Sequence, residues 1–424
     1  MALVVQKFGG SSVADAESIK RVAARIVETH RAGNRVVVIV SAMGDTTDDL
    51  IDLANSVSTA PPAREMDILL TAGERISMAL LAMAVNDLGV DAQAFTGQQA
   101  GLYTNASYGR ASIVGVVPER IARQIQNGGV AIIAGFQGVN IYDDVTTLGR
   151  GGSDTTAVAF AVALQADVCE IYSDVDGVFT ADPRICPAAH KIDVLTYEET
   201  LEMAAHGSKI LHLRAVEYAR RYNMPLHVRS SFSQKEGTWI VDEKTRNRWE
   251  GDNEAPIISG VSHDKSQAKI TVAGLPDIPG TASRLFQVIA NAELNIDMIV
   301  QNVPTNVKGV ANISFTLPIA DVRKAVDVLQ ANQSELGFET IMEDDGVGIL
   351  SLIGAGMRSN PGVSARFFGA LFEAGINIDM ISTSEIRISV VVSSDDLEES
   401  VRVVHNAFGL DSEGEAIVYG GTGR

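Results

Sequence analysis

The segment RVVVIV at 35–40 restricts the fold more than any other part of the chain. Alternate residues of a strand point to opposite faces, so a run of five consecutive apolar residues must be covered on both sides. The run is also too short for a helix. VAIIA at 130–134 has the same character, and LVVQKF at 3–8 and VCEIYS at 168–173 come close to it. Longer stretches of helical periodicity lie at 16–31, 66–88, 153–165 and 208–222. Doubly buried strands alternating with helices predict an α/β fold, a three-layer αβα domain around a mainly parallel sheet. Turn signals follow the strands: GGSS at 9–12, SAMGD at 41–45, AGFQG at 134–138 and SDVDG at 173–177. Open α/β sheets bind ligands at the carboxyl ends of their strands, so these turns mark the expected site.

The second half carries an internal repeat. Pro279-Gly280 and Pro361-Gly362 each lead into a Phe-containing helical stretch that ends in NIDMI, at 295–299 and 377–381. The spacing from Gly to Asn is 15 residues in both copies. Strand-like runs flank them, at 268–274 and 312–317, then at 347–354 and 386–392. Two α+β units of about 75 residues are expected, a typical repeat arising by duplication. The polar stretch from 232 to 256 is expected to separate them from the first domain.

A chain of 424 residues is too long for one core, in keeping with this division. Aromatics are only 5%, so the cores must rest on Val, Ile, Leu and Ala. The formal net charge of −19 repels nucleic acid and anionic membrane, and neither is expected as a partner. A nucleotide then binds only where local N–H groups, Lys and Arg override that field. Cys169 and Cys186 are the only cysteines, which gives no disulfide framework and suits a reducing cytoplasm. The N-terminus lacks the features of a signal peptide, and no uninterrupted apolar run of about 18 residues suggests a membrane span.

Six motifs could carry chemistry. In GRGGSD at 149–154, Gly149, Gly151 and Gly152 let the backbone approach an anion, Ser153 or Asp154 caps the next helix, and Arg150 adds a forked donor. From the residues alone this is a phosphate cradle, or else an ordinary capped turn. KFGGSS at 7–12 sets Lys7 at a strand end before the amides of residues 9–11, suited to a transferring phosphoryl group. P-loop spacing is absent, and a surface lysine before a turn is the plainer reading. In YSDVDGVFTADPR at 172–184, Asp174 could accept from ribose or adenine and Arg184 reach a phosphate, unless the segment is only a polar loop. HGSKIL at 206–211 puts Lys209 in the first turn of a helix, as a second cation for charge spread over phosphoryl oxygens or as a solvated lysine. In LLTAGERISMALL at 69–81, Glu74 and Arg75 interrupt an apolar helix, and such charges are rarely buried unpaired. Glu74 could hold a substrate ammonium or pair with Arg75. SAMGDTTDDL at 41–50 offers the hydroxyls of Ser41 and Thr47, with Asp45 or Thr46 as a plain N-cap instead.

Taken together, KFGGSS, SAMGDTTD, LLTAGERIS, TTLGRGGSDTTA at 146–157, YSDVDGVFTADPR, GSKILH at 207–212 and STSEIRISV at 382–390 make the chain similar to aspartate kinases of the amino-acid kinase family. The resemblance covers nearly the whole length. It is strongest to the actinobacterial, stand-alone type with paired ACT domains. It implies a catalytic domain at 1–245, a linker at 246–264, and ACT domains at 265–345 and 346–424. It also implies Mg²⁺-ATP-dependent phosphorylation of the β-carboxylate of L-aspartate to 4-phospho-L-aspartate, the first step toward lysine, threonine, methionine and isoleucine. By position, Lys7, Phe8, Gly9, Gly10 and Ser41 would serve the ATP phosphates. Ser173, Asp174, Phe179, Asp182 and Arg184 would line the nucleotide. Asp45, Thr47, Glu74, Arg150, Gly151, Gly152 and Ser153 would hold aspartate. Asp154 would orient the lysines, and Lys209 would join Lys7 on the developing charge. The glycine loop's role thereby moves from holding the donor to holding the acceptor. A carboxylate is already nucleophilic, so no general base is required, and no Ser-His-Asp or Cys-His set is evident. Protein ligands for Mg²⁺ are not obvious, and phosphates and water are expected to hold it.

The ACT pair implies a site for lysine and/or threonine. Its contacts would come from Asp277, Gly280, Ala282, Asn295, Ile296, Asp297 and Gln301, and from Val363, Ser364, Asn377, Ile378, Ser384 and Glu385. It also implies a homo-oligomer joined through these units, with an internally initiated regulatory subunit as a further option. No Met lies at 240–256, so such a start would need another codon, as at Val241. The chain departs from the family pattern at Pro304 and Ala311, where hydroxyl residues are usual, and has Ser364 for the usual Thr. A lost hydrogen bond at a binding site costs about 0.5–1.5 kcal/mol, so feedback is expected to be weakened or retuned. The alternatives are another member such as glutamate 5-kinase, acetylglutamate kinase or UMP kinase, and a non-catalytic amino-acid sensor. The repeated units and the TAGERIS helix argue against the first group, and intact Lys7, Asp154 and Lys209 against the second.

Overall fold

The structure, a computed structural model, describes residues 1–208, 210–250, 257–303, 309–358, 360–412 and 416–419. Eight strands form the large sheet, in the order Val194–Thr196, Thr238–Val241, Leu226–Ser230, Val168–Ser173, Leu3–Phe8, Arg35–Val40, Val130–Ala134 and Ala92–Phe95. All neighbours are parallel except Leu226–Ser230 with Thr238–Val241. The connection between those two is too short for a crossover helix, so they form a hairpin.

The strand Arg35–Val40, apolar from Val36 onward, serves both faces as its pattern requires. Val36, Val38 and Val40 join one buried cluster with helices Ala16–Arg31 and Ala72–Asp87. Val37 and Ile39 join another with helices Gly152–Ala163 and Leu213–Tyr222. Leu3–Phe8 lies between Arg35–Val40 and Val168–Ser173, where the strand order turns back. A crevice opens at such a switch point. A smaller sheet of Leu102–Thr104, Ile113–Val116, Gln137–Val139 and Val145–Thr147 leads into the glycine loop.

The helix expected at 66–88 is two helices, Ala63–Leu70 and Ala72–Asp87, joined at Thr71. By length and composition Ala63–Asp87 could cross a membrane, but 44% of its most apolar window is buried in the protein. Its inward residues Met78, Leu81, Ala82 and Val85 belong to the core.

Each repeat unit builds a four-stranded antiparallel sheet. The first contains Gln267–Pro276, Ile299–Asn302, Val310–Pro318 and Thr340–Asp344. The second contains Val347–Ile353, Met380–Thr383, Arg387–Ser393 and also Gly260–Asp264. The linker expected at 246–264 is therefore corrected: its end is a strand of the second unit, and the first unit is inserted into the second. Val261 is the strand's only large apolar residue, too little periodicity to reveal it. The two copies have matching geometry, with helices Thr281–Asn291 and Val363–Glu373 starting after Gly280 at φ 96° and Gly362 at φ 100°. Met298 and Met380, the methionines of the two NIDMI copies, meet in one cluster with Val347, Ile349 and Val391.

Leu352 is fully buried on the central strand Val347–Ile353. Leu352→Ala is expected to cost about 2–5 kcal/mol, read as a lowered denaturant midpoint. A loss under about 0.5 kcal/mol, as at surface positions, would contradict its placement.

Candidate active site

Lys7, the penultimate residue of the first strand, sets its Nζ 2.7 Å from Asp154 Oδ1, the side chains 14% and 10% exposed. Asp154 lies in the first turn of helix Gly152–Ala163. The pair joins the first strand to the glycine loop. Backbone hydrogen bonds stitch the neighbouring turns together. Ser41 N donates to Phe8 O at 3.1 Å, Gly44 N to Gly10 O at 3.1 Å, and Gly9 N to Tyr172 O at 3.4 Å. The Phe8 side chain is wholly buried and stacks on Tyr172 at 4.6 Å, which leaves only its main chain to meet a nucleotide.

The cap expected from Ser153 or Asp154 is also corrected. The helix starts after Gly151, in a left-handed conformation at φ 69°, with no side-chain cap. A Cβ on Gly151 would fall 2.1 Å from His212 Cγ, so only glycine fits this turn. The first-turn amides thus lack a capping side chain, which suits an anion. Arg150 is exposed beside them and Ser153 is nearly buried.

Glu74 is 3% exposed. Its Oε1 accepts from Ala42 N at 3.2 Å, and its Oε2 has no hydrogen-bond partner among the described residues. Arg75 points to solvent, so the internal pair is not formed. Burial pushes the Glu74 carboxyl up to about 7. A buried carboxylate with no cation beside it among the described residues is a ready seat for an ammonium group. Ser77 Oγ donates to Ser41 O at 2.7 Å, holding the same helix on the SAMGD turn. Asp45 takes the N-cap position of helix Thr46–Val57 without a side-chain cap bond, and Thr46 Oγ1 donates to Met43 O at 2.5 Å. Thr47 is half-buried in that first turn.

A cleft of about 570 Å³ is lined by Gly10, Gly44, Asp45, Ser173, Asp174, Phe179, Asp182 and Arg184. It lies at the switch point. Arg184 is 3.4 Å from Asp174 and 3.9 Å from Asp182. Gly207 and Ser208 line it too, as do Val261, Ser262 and His263 of the regulatory half. Lys209 lies outside the described residues. The helix expected from 208 starts only at Leu213. Gly207, at φ 103°, presses against the regulatory strand, where a Cβ would come 1.8 Å from His263 O. His212 N donates to Asp154 Oδ2 at 3.4 Å, joining this segment to the Lys7 pair.

Sequence reasoning missed Asp67 and Arg214. Asp67 is fully buried and accepts from Gly109 N, Thr147 N and Thr147 Oγ1, the last at 2.6 Å. Arg214 donates to Leu148 O at 2.7 Å and Ala111 O at 3.1 Å. Both fix the approach to the glycine loop. A charge inside the apolar stretch MDILL carries the same signal that singled out Glu74. Among the described residues no three His, Cys, Asp or Glu side chains converge as a metal cage.

The expected effector residues fall at equivalent places in the two units. Asp277, Gly280 and Ala282 lie at the start of helix Thr281–Asn291, and Val363 and Ser364 at the start of Val363–Glu373. Asn295, Ile296 and Asp297 follow the first helix, and Asn377 and Ile378 the second. Gln301 lies on the edge strand Ile299–Asn302, and Ser384 and Glu385 lie between two strands. Asp297 and Ser384 converge on the kinase half, 3.7 Å from His206 and 3.5 Å from Glu202. Pro304 lies outside the described residues. Ala311 is 1% exposed on the buried side of Val310–Pro318, so its missing hydroxyl does not face an effector.

The chain matches the model of the amino acid kinase family over residues 2–230 and that of the ACT domain over 270–333 and 350–408. It is 60% identical over 425 aligned residues to an aspartokinase of Mycolicibacterium smegmatis, covering all of both chains. The structure of E. coli aspartokinase III with aspartate and ADP, in the R-state, matches with a TM-score of 0.82 at 26% identity, over 96% of this chain and 99% of that one. The same enzyme with lysine and aspartate, in the T-state, matches at 0.70 and 27%, over the same shares. This chain belongs to the amino acid kinase family, in its aspartokinase branch with paired ACT domains.

Proposed function

We propose that this protein transfers the γ-phosphoryl group of ATP to the β-carboxylate of L-aspartate, giving 4-phospho-L-aspartate at the head of lysine, threonine, methionine and isoleucine synthesis. The observation that carries this reading is Glu74, a buried carboxylate without a cation among the described residues, hydrogen-bonded to the turn beside the Lys7 strand. It would take the substrate ammonium. Arg150 and the amides of Gly151 and Ser153 would take the α-carboxylate, with Gly152 shaping the turn by donating to Gly149 O at 3.0 Å and Thr47 and Asp45 alongside. The β-carboxylate oxygen attacks the γ-phosphorus, the bond to ADP breaks, and no proton needs to move. Lys7, held by Asp154, would neutralise charge on the phosphoryl oxygens, and Lys209 would share that work. Gly9, Gly10 and Ser41 would serve the phosphates, and Ser173, Asp174, Phe179, Asp182 and Arg184 the nucleoside. Mg²⁺ would accompany ATP, held by phosphates and water, since the described residues offer it no carboxylate cage.

Two parts of the reading concern control and assembly. Lysine and/or threonine would act through the ACT units, which would also join copies of the chain, with a separately initiated regulatory subunit as an option. The free cysteines and the substrates suit the cytoplasm. An ATP-dependent hydroxamate assay offering aspartate, glutamate and acetylglutamate tests the substrate. Product from aspartate alone supports the proposal, and a preference for either other acid refutes it.

Lys7→Ala is expected to lower kcat about 10²–10³-fold, as for loss of one charge-stabilising donor. The aspartate KM should stay within about threefold, the mark of an interaction made mainly in the transition state. Equal losses in both constants would remove Lys7 from this role. Glu74 predicts a pH effect of defined sign. Below about 7 the empty site holds a neutral carboxyl, which binds ammonium poorly, and above it a carboxylate. The aspartate KM should therefore rise as pH falls below about 7, by up to about tenfold per unit. Glu74→Gln should raise KM and flatten that dependence; an unchanged slope would contradict the assignment. Titration with lysine plus threonine tests retuned feedback, which now rests on Pro304 and Ser364. Weak inhibition is expected, and strong joint inhibition at low concentration would refute it.

A further inference from the structure

Helix Tyr197–Ala205 stands between the nucleotide cleft and the regulatory half. Met203 lines the cleft. Residues 199, 202 and 206, spaced at successive turns, meet the other side. Glu199 is fully buried and takes Ser259 Oγ at 2.5 Å and Arg246 at 2.9 Å. Glu202 Oε2 lies 3.0 Å from Arg387 Nε. His206 Nδ1 is 2.8 Å from the Glu202 carbonyl oxygen, and its Nε2 is 2.6 Å from an Arg387 guanidinium nitrogen. A carbonyl oxygen only accepts, so Nδ1 carries the hydrogen and Nε2 accepts from Arg387. Burial, then the neighbouring guanidinium, hold this ring below the usual histidine range, in keeping with a neutral acceptor.

Arg387 opens the strand Arg387–Ser393 of the second regulatory sheet. It stands opposite Ile353, which on its other side stands opposite Gly260. The same sheet therefore grips two successive residues of the kinase half. Arg387 holds His206, and the carbonyl of His263 lies where Gly207 can have no side chain. Gly207 and Ser208 line the nucleotide cleft, and the expected catalytic Lys209 follows them in sequence. Asp297 and Ser384 reach the same cluster from the two ACT units.

We infer that Arg387 is a positioning residue for phosphoryl transfer, acting from the regulatory half through His206 on segment 206–208, which forms part of the nucleotide cleft. The inference rests on the kinase reading above. It gives the ACT units a direct hold on the nucleotide side of the site, in addition to the Glu293–Arg110 ion pair beside the glycine loop.

The test compares Arg387→Gln, Arg387→Lys and His206→Ala in the full-length chain. Arg387→Gln and His206→Ala are expected to raise the ATP KM about fivefold or more, with the aspartate KM within about twofold. Peptides covering 205–212 should exchange their amide hydrogens faster, while those covering 72–87 stay unchanged. Arg387→Lys keeps the charge and one donor and should restore most of the ATP KM. A purely structural role would reduce the folded fraction, and with it the rate, but leave the ATP KM and the local exchange as in the unaltered chain. That result overturns the inference. If the unaltered chain forms no product from aspartate, the kinase reading fails instead, and the exchange measurement still decides whether Arg387 holds the segment.

Discussion

The contact between Lys7 and Asp154 organises the rest of the site. A chain with a net charge of −19 has to bring ATP, another polyanion, into its core crevice. A lysine placed there alone would be drawn to any nearby carboxylate. Here one carboxylate, at 2.7 Å, keeps its amine in the crevice. That contact also sets the distance between the first strand and the glycine loop, two elements more than 140 residues apart in sequence. His212 N reaches the same Asp154, so the segment leading to Leu213 is referred to the same point. Breaking such a shielded pair costs more than the pair contributes, because the remaining charge is stranded.

Around that contact the site has two walls with different support. The proposed acceptor wall is built from kinase-domain residues, Glu74 on its helix with Asp67 and Arg214 beneath the glycine loop, and Glu293 of the first ACT unit pairs with Arg110 beside it. The proposed nucleotide wall is shared. Phe179 and Val175 of the SDVDGVF segment pack in one cluster with Leu350, Leu352 and Phe367 of the second ACT unit. Val261 to His263 line the cleft itself. Regulation therefore has no long path to travel on this side. The strand that closes the regulatory sheet already lines the cleft proposed for the nucleotide.

How much of this the sequence disclosed follows from what the patterns encode. Buried strands were legible because RVVVIV and VAIIA leave no other reading, and their bounds agree with the structure. The repeated units were legible from NIDMI. The insertion of one unit into the other was not, because GVSHD at 260–264 has no period to betray a strand. The start of helix Leu213–Tyr222 was misplaced by five residues, from 208 to 213, because propensity does not register the carbonyl of His263 against Gly207. The glycine-loop cap went wrong for a similar reason: His212, distant in sequence, decides that Gly151 takes the cap position. Glu74 stood out as a charge in an apolar helix, but only the structure shows that Arg75 turns away from it.

The most direct measurement is phosphorus NMR of the purified protein mixed with Mg-ATP and L-aspartate. Attack of the β-carboxylate on the γ-phosphorus predicts an acyl phosphate signal growing in step with ADP, with little inorganic phosphate at first. Inorganic phosphate appearing with ADP from the start, without an acyl phosphate, would contradict it.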